Sequence, residues 1–102
     1  MSEPTRRTGL ADARRARPIT PEIEEAYAAA RLRFELGETV RARRCELGLS
    51  QAELGARARM TQSAVARFEA GGTVPTVPVL ERLAEALRLS LRVELVEHTE
   101  SA

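Results

Sequence analysis

The residue types that catalyse reactions or bind metals are scarce in this chain of 102 residues. His98 is its single histidine, Asp12 its single aspartate and Cys45 its single cysteine. One thiol excludes an internal disulfide and a cysteine-rich zinc site, and the chain has no glycine-rich loop with a lysine to hold a phosphate. We therefore expect a protein that is not an enzyme and that uses no cofactor and no metal.

Arginine is the one abundant residue type with binding chemistry, since all 16 basic residues are arginine. A GC-rich genome explains this usage by itself, but arginine also forks onto phosphate and guanine. The charge is uneven: residues 1–17 hold five arginines against two acids, whereas residues 73–102 hold three against five. The net charge of +1 thus permits a basic face for nucleic acid without proving one.

The size and hydropathy of the chain fit one small domain of about 60 to 80 ordered residues with tails. The longest uninterrupted apolar run covers only residues 26–30, so we expect no membrane partner. No secretory signal is visible, and a lone cysteine fits a reducing compartment. These features predict a cytoplasmic protein.

The elements that must position any binding residues begin after residues 1–18, which we expect to form a disordered, Arg-rich arm. Thr20 followed by Pro21 is typical of a helix start. We expect an extension helix over residues 19–35, whose apolar stripe consists of Ile23, Tyr27, Ala30 and Phe34.

Several further helices are predicted beyond this extension. Gly37 weakens the helical pattern by about 1 kcal/mol relative to alanine, so the sequence leaves open whether the chain runs straight on or kinks there. The pattern then resumes as far as Gly48, and two short helices capped by Ser50 and Thr61 follow. After the turn sequence TVPTVP, a final amphipathic helix carries Val79, Leu80, Leu83, Ala84 and Leu87.

The apolar period changes from 3.6 to 2 beyond Leu89, which predicts a half-buried strand over residues 90–97, followed by a tail over residues 98–102. No other segment has strand patterning, so we expect Leu91, Val93 and Leu95 to pair with their copies in a homodimer. The expected fold is all-α: a small helix-turn-helix bundle of about five helices with an N-terminal extension helix and a short C-terminal β-strand.

The two short helices are separated by only three residues, 59–61, a geometry that places the second helix in the DNA major groove. The stretch LGLSQAELGARARMTQSAVARFEAGG closely resembles the xenobiotic-response-element (XRE) family of helix-turn-helix proteins, which includes phage repressors and Cro proteins. The resemblance covers residues 36–89, which we take as the DNA-binding domain. It implies that double-stranded DNA is a partner.

Carried over by position, the resemblance puts six residues at buried or close-packed sites: Leu54, Gly55, Ala58, Met60, Val65 and Phe68. It leaves Gln62, Ser63, Ala64 and Arg67 as the residues expected to read bases. Glutamine can pair with adenine, alanine can touch a thymine methyl, and arginine can fork onto guanine. The alternative is that these polar residues are only the solvent-exposed face of the helix, which is the better interpretation for an arbitrary helix.

The resemblance also implies contacts to the DNA backbone. Gln51 matches a glutamine that contacts phosphate and braces its counterpart on the recognition helix, here Gln62. Ser50, Arg43 and Thr61 are further phosphate candidates. The positions of Arg44 and Glu69 form, in several relatives, an ion pair between the first helix and the recognition helix. We read this pair as structural.

Two positions depart from the family pattern. Arg59 stands where a glycine usually adopts a left-handed turn, so we expect either strain of about 1–2 kcal/mol or a reshaped turn, with a side chain that could reach phosphate. After the recognition helix, residues 70–74 lack the asparagine and the several basic residues that phage repressors carry there. We therefore expect modest affinity from one copy and dependence on paired half-sites.

The layout of residues 19–97 resembles the HigA-type antitoxins of bacterial toxin–antitoxin pairs. This second resemblance implies a homodimer that represses its own operon at a palindromic operator. It also implies an antitoxin that neutralises a RelE-fold, HigB-like mRNA-cleaving toxin. Because the Arg-rich arm is too polar to fold alone, we assign it to the toxin together with the helix from Pro21 to Phe34, whose Ile23, Tyr27 and Phe34 are the expected toxin contacts. The alternatives are a stand-alone XRE-family regulator and a protein-interaction module that does not bind DNA.

Overall fold

A computed structural model describes residues 18–98 of the chain. The described residues form four α-helices: α1 (Pro21–Glu46), α2 (Gln51–Ala58), α3 (Gln62–Glu69) and α4 (Val77–Ala86). The chain divides into two compact units, residues 1–30 and 31–102. In the first unit, every described residue from 21 to 30 is exposed. The arm expected over residues 1–18 lies, except for Pro18, outside the described residues, as does most of the tail.

Helix α1 is one continuous helix of 26 residues, which answers the question that the sequence left open at Gly37: the chain runs straight on. Its first turn is capped by Thr20, whose Oγ1 accepts a hydrogen bond of 3.2 Å from the amide of Ile23. A Cβ at position 37 would lie 2.6 Å from the backbone oxygens of both Phe68 and Glu69. Gly37 is therefore a site of close backbone approach between α1 and α3, not a helix end, and four helices replace the expected five.

Side-chain caps define both short helices of the pair. Ser50 and Glu53 form a reciprocal capping box on α2: the Ser50 hydroxyl accepts from the Glu53 amide at 3.0 Å, and the Glu53 carboxylate accepts from the Ser50 amide at 2.8 Å. Thr61 caps α3 by accepting a hydrogen bond of 3.0 Å from the amide of Ala64. Each cap satisfies backbone donors that have no partner within the helix.

The core lies where α2, α3 and α4 meet the second half of α1. Its buried cluster consists of Val40, Leu54, Ala58, Val65, Phe68, Leu83, Ala86 and Leu87. Helix α4 begins one residue after Thr76, whose hydroxyl accepts from the amide of Val79 at 3.4 Å. Pro78 lies in the first turn of α4. A proline is tolerated there because the first amides of a helix have no intrahelical acceptor.

The C-terminal β-strand predicted over residues 90–97 is not formed, since the described residues contain no strand. A strand needs a second strand to receive its backbone hydrogen bonds, and the other described segments are helices and their connections. The apolar side chains of this segment are consequently exposed: Val93 to 68%, Leu95 to 99% and Val96 to 74%. The predicted strand is therefore wrong, and a role of Leu91, Val93 and Leu95 in dimerisation stays a prediction.

Two other features of the described residues bear on function. None of their helices has the length and apolar character needed to cross a membrane. Within the same part of the chain, no three His, Cys, Asp or Glu side chains lie close enough together to hold a metal ion.

Candidate nucleic-acid interface

Helix α3 has two distinct faces. Val65, Phe68 and Glu69 are buried against the rest of the bundle. Gln62, Ser63 and Arg67 are exposed, and Ala64 is half-buried between the two faces. Within the described part of the chain, the exposed polar side chains of α3 make no hydrogen bond or ion pair. Their donors and acceptors are therefore available to a ligand outside the chain.

The turn between α2 and α3 holds its left-handed conformation without a glycine. Arg59 has φ 59° and ψ 46°, and its side chain is exposed. Of the two outcomes expected at this position, strain and a reshaped turn, the structure shows the strained one. Arg59 lies two residues before Thr61, the residue that caps α3.

Gly55 allows this turn to close. The amide of Met60 donates a hydrogen bond of 2.7 Å to the carbonyl of Gly55. A Cβ on Gly55 would lie 2.5 Å from the carbonyl oxygen of Met60, a contact with backbone that cannot rotate away. The backbone of the turn at Met60 therefore requires a glycine at position 55.

A buried ion pair joins α1 to α3. Arg44 Nε donates to Glu69 Oε2 at 2.6 Å, and a terminal nitrogen of the same guanidinium donates to Glu69 Oε1 at 3.1 Å. The side chains are only 13% and 4% exposed, respectively. Such a two-bond pair between planar groups fixes the orientation of both side chains.

The two pKa values of this pair shift in the directions that the pairing requires. Burial disfavours the charged form of Glu69, but the hydrogen bonds from Arg44 and Gln51 and the charges of Arg44 and Arg41 outweigh it, so its pKa lies below the ordinary value. The hydrogen bond to Glu69 is the main reason why the pKa of Arg44 is raised. Both groups are therefore charged at neutral pH.

Gln51 lies at the first position of α2 and hydrogen-bonds to this ion pair, its Nε2 donating to Glu69 Oε1 at 3.1 Å. The partner expected for it was Gln62, but the structure shows no hydrogen bond between the two glutamines. Ser50, next to Gln51, and Thr61, at the start of α3, both present exposed hydroxyl groups. Three of the phosphate candidates thus lie at the N-termini of two helices, where positive dipole ends favour anions.

Arg43, the fourth phosphate candidate, is held elsewhere. Its Nε donates to the carbonyl of Leu87 at 3.0 Å, at the end of α4, and a terminal nitrogen pairs with Glu46 at 3.1 Å. The side chain therefore ties α1 to α4, and the structure does not bring it together with the residues at the N-termini of α2 and α3. Satisfying a carbonyl at a helix end is a structural role.

The sequence-based interpretation missed Arg41. Its exposed side chain lines a groove of about 270 Å³ together with Glu38, Gln51, Ala66, Glu69 and Ala70. Arg41 precedes Arg44 by three residues, so the two share one face of α1. That spacing was visible in the sequence, but only the packing of α1 against α3 places Arg41 beside Gln51.

The comparisons with known proteins give one match. A sequence profile of the helix-turn-helix family matches residues 40–93, which include α2, α3, α4 and the last residues of α1. No curated protein and no solved structure matches the chain. Because the match spans more than half of the chain, this protein belongs to the XRE-type helix-turn-helix family of DNA-binding domains.

Proposed function

We propose that this protein is a sequence-specific regulator that reads double-stranded DNA with α3 in the major groove. The observation that carries the proposal is the division of α3 into a buried face and a face with unpaired polar groups. Gln62, Ser63 and Arg67 have no partner within the described residues, while Val65 and Phe68 are buried on the opposite side. A helix held rigidly by its apolar face can present such groups to base edges.

Each residue of the outer face has a defined chemistry toward bases. The Gln62 amide can bond adenine N6 and N7, and the Arg67 guanidinium can fork onto guanine O6 and N7. Ala64 can contact a thymine methyl, and Ser63 can bond either a donor or an acceptor. Gln51, Ser50 and Thr61 would contact the phosphates that flank these bases and so set the position of α3.

A gel-shift titration tests this function. The probe is a duplex that the full chain selects from randomised DNA, or DNA from upstream of its own gene. Gln62→Ala and Arg67→Ala should each weaken binding about 5- to 150-fold, which corresponds to about 1–3 kcal/mol per base contact, and should relax specificity at one base position. Arg31→Ala is the matched control, because it removes the same charge from an exposed site outside the matched domain.

The outcome separates DNA binding from a protein-interaction role. Specific binding that falls steeply with salt, and that Arg31→Ala leaves nearly unchanged, supports the proposal. If the chain selects no DNA sequence, or if Arg31→Ala and Arg67→Ala lose the same amount of binding affinity, α3 does not read bases.

We further propose that the protein binds a palindromic operator as a homodimer. Beside α4 lies an open groove of about 450 Å³, lined by Glu81, Ala84, Glu85, Leu89, Ser90 and Leu91. The following residues carry the exposed side chains of Val93 and Leu95, next to Arg92. The apolar side chains of Val93 and Leu95 in one copy complement the apolar part of the groove lining, Ala84, Leu89 and Leu91, in the other.

The dimer would place two α3 helices about 34 Å apart, one turn of DNA. Sedimentation at micromolar concentration, with and without operator, should show a dimer. Leu95→Glu should shift the protein toward the monomer and weaken binding to a palindrome more than to a half-site. A wild-type monomer under both conditions would eliminate the homodimer.

The finer proposal for the biological role is that of an antitoxin. The residues Ile23, Tyr27 and Phe34 of α1 are 40%, 56% and 55% exposed, and all precede the start of the family match at residue 40. An exposed apolar stripe outside the DNA-binding domain is suited to a protein partner. A RelE-fold toxin encoded beside the gene is the partner we propose, with repression of their shared operon as the regulatory effect.

Deletion of residues 1–30 tests the antitoxin role. Co-expressed with the adjacent open reading frame, the truncated chain should no longer neutralise toxicity but should still bind operator DNA. Ile23→Glu makes the same test with the chain intact. Neutralisation that survives both changes, or the absence of any toxic neighbour, would leave the stand-alone regulator as the function.

A further inference from the structure

The carboxylate of Glu69 has two sets of partners that meet from different helices. Arg44 on α1 donates to both of its oxygens, and Gln51 on α2 donates to Oε1. Glu69 is 4% exposed, so it lies beneath the surface that α2 and α3 present. No buried side-chain nitrogen or oxygen in the described part of the chain lacks a partner, so this network is complete.

The chemistry of the pair decides which way the Gln51 amide faces. A carboxylate only accepts hydrogen bonds, whereas an amide has an NH₂ that donates and an oxygen that accepts. Glu69 is ionised at neutral pH because its pKa is lowered. The NH₂ of Gln51 must therefore point toward Glu69, and the rotamer in which the amide oxygen faces the carboxylate is disfavoured.

A second hydrogen bond fixes the backbone next to Gln51. A terminal nitrogen of Arg44 donates to the carbonyl of Leu49 at 2.8 Å, directly before the Ser50 cap. The same guanidinium thus holds both the start of α2 and the carboxylate that orients Gln51. Together, these bonds hold the amide at a helix N-terminus, where a phosphate oxygen would meet its remaining N–H and the first backbone amides of α2.

We infer that Glu69 is a positioning residue for DNA binding: it does not touch DNA, but it holds Gln51 in the orientation that donates to a backbone phosphate. This inference rests on the proposed DNA-binding function. A purely structural ion pair would stabilise the fold without selecting the orientation of Gln51. The two roles therefore predict different behaviour in a variant that folds well but lacks the carboxylate.

The variant that separates the roles replaces both partners of the ion pair, Arg44→Met together with Glu69→Met. Apolar replacement of a whole buried pair is often tolerated, whereas removal of one partner leaves an uncompensated charge. Circular dichroism and thermal melting establish that this double variant is folded. Glu69→Gln, which keeps the shape of the side chain and loses its charge, is the second variant, and the same two measurements select a temperature at which it is folded.

Binding is measured on the duplex selected by the wild-type chain, and ethylation interference identifies the phosphates that binding needs. Gln51→Ala should weaken binding about tenfold and abolish interference at one phosphate per half-site, as expected for loss of one hydrogen bond to a charged group. The Met double variant and Glu69→Gln should lose interference at that same phosphate. In the Gln51→Ala background, neither change should weaken binding further.

Four results are decisive. The positioning role is supported if all three variants lose interference at the same phosphate and if their losses of binding affinity are not additive. The positioning role would be overturned if the folded Met double variant kept interference at that phosphate. It would also be overturned if the losses of affinity in this variant and in Gln51→Ala were fully additive. Failure of the wild-type chain to select any duplex would instead reject the proposed function, and the inference with it.

Discussion

At the scale of single residues, the close approach of two helix backbones restricts which residue position 37 can hold. Gly37 lies within a helix, where replacement of a glycine by alanine normally stabilises the helix by about 1 kcal/mol. Its added Cβ would instead lie 2.6 Å from two carbonyl oxygens of α3, so α1 and α3 must move apart. We expect Gly37→Ala to lower the free energy of unfolding by about 1–3 kcal/mol, as measured by urea denaturation.

The control for this prediction is Glu38→Ala, a change of the exposed neighbour in the same helix, which should alter stability by less than about 0.5 kcal/mol. If Gly37→Ala were as stable as the wild type, the close approach of α1 to α3 would not be a constraint on this fold.

At Arg59, unlike Gly37, the side chain itself destabilises the fold, because the residue adopts a left-handed backbone conformation. Its left-handed backbone suits glycine, so Arg59→Gly should raise the free energy of unfolding by about 0.5–1 kcal/mol, after allowance for the greater freedom of glycine in the unfolded chain. The same change should weaken DNA binding and reduce the slope of log affinity against log salt by about 0.9, the value for one phosphate contact. A destabilised variant with an unchanged salt slope would disprove both expectations.

At the scale of elements, α2 and α3 are only eight residues each and depend on their caps. Isolated helices of this length are unstable, so the caps and the buried face must fix them. Ser50→Ala and Thr61→Ala should each cost about 1 kcal/mol, which for a domain of this size lowers Tm by about 4–8 °C in differential scanning calorimetry. Ser63→Ala, an exposed position on α3 with no capping bond, should leave Tm within about 2 °C of the wild-type value.

At the scale of the whole molecule, the ion pair between α1 and α3 makes stability depend on pH. The pKa of Glu69 is below its ordinary value of 4.5 in the folded chain, and that of Glu53 is also lowered, chiefly by its hydrogen bond from the Ser50 backbone. Carboxylates with depressed folded-state pKa values stabilise the fold above about pH 4.5, and this contribution is lost as the pH falls through the lowered values. The free energy of unfolding should therefore be roughly constant near neutral pH and fall below about pH 4.5.

Urea titrations at several pH values between 7 and 3 measure this effect. The Glu69→Gln variant should be less stable at pH 7, by about 3–5 kcal/mol if the partner charge stays buried, and should lose less on acidification. A variant curve parallel to the wild-type curve across this range would show that Glu69 is not a source of the acid sensitivity.

The local features of the domain could be predicted from the amino-acid sequence. The caps at Ser50 and Thr61 and the burial of Leu54, Val65 and Phe68 depend on short spacings that a linear pattern contains. The two expectations that the structure overturned, a count of five helices and a strand over residues 90–97, both concern distant partners. A glycine within a helical pattern can mark the end of the helix or a site where another backbone packs closely, and only the packing decides which. An alternating apolar segment forms a strand only if another strand pairs with it.

The sequence by itself determined the helix-turn-helix pair and the polar outer face of α3, because caps and apolar period act over a few residues. Only the tertiary structure decided that Arg43 binds the end of α4, that Arg41 lies beside Gln51, and that Gln51 donates to the buried Glu69 carboxylate. The physical reason is that a side chain's hydrogen-bond partner depends on how whole helices pack, and residue spacing within one helix carries no record of that packing.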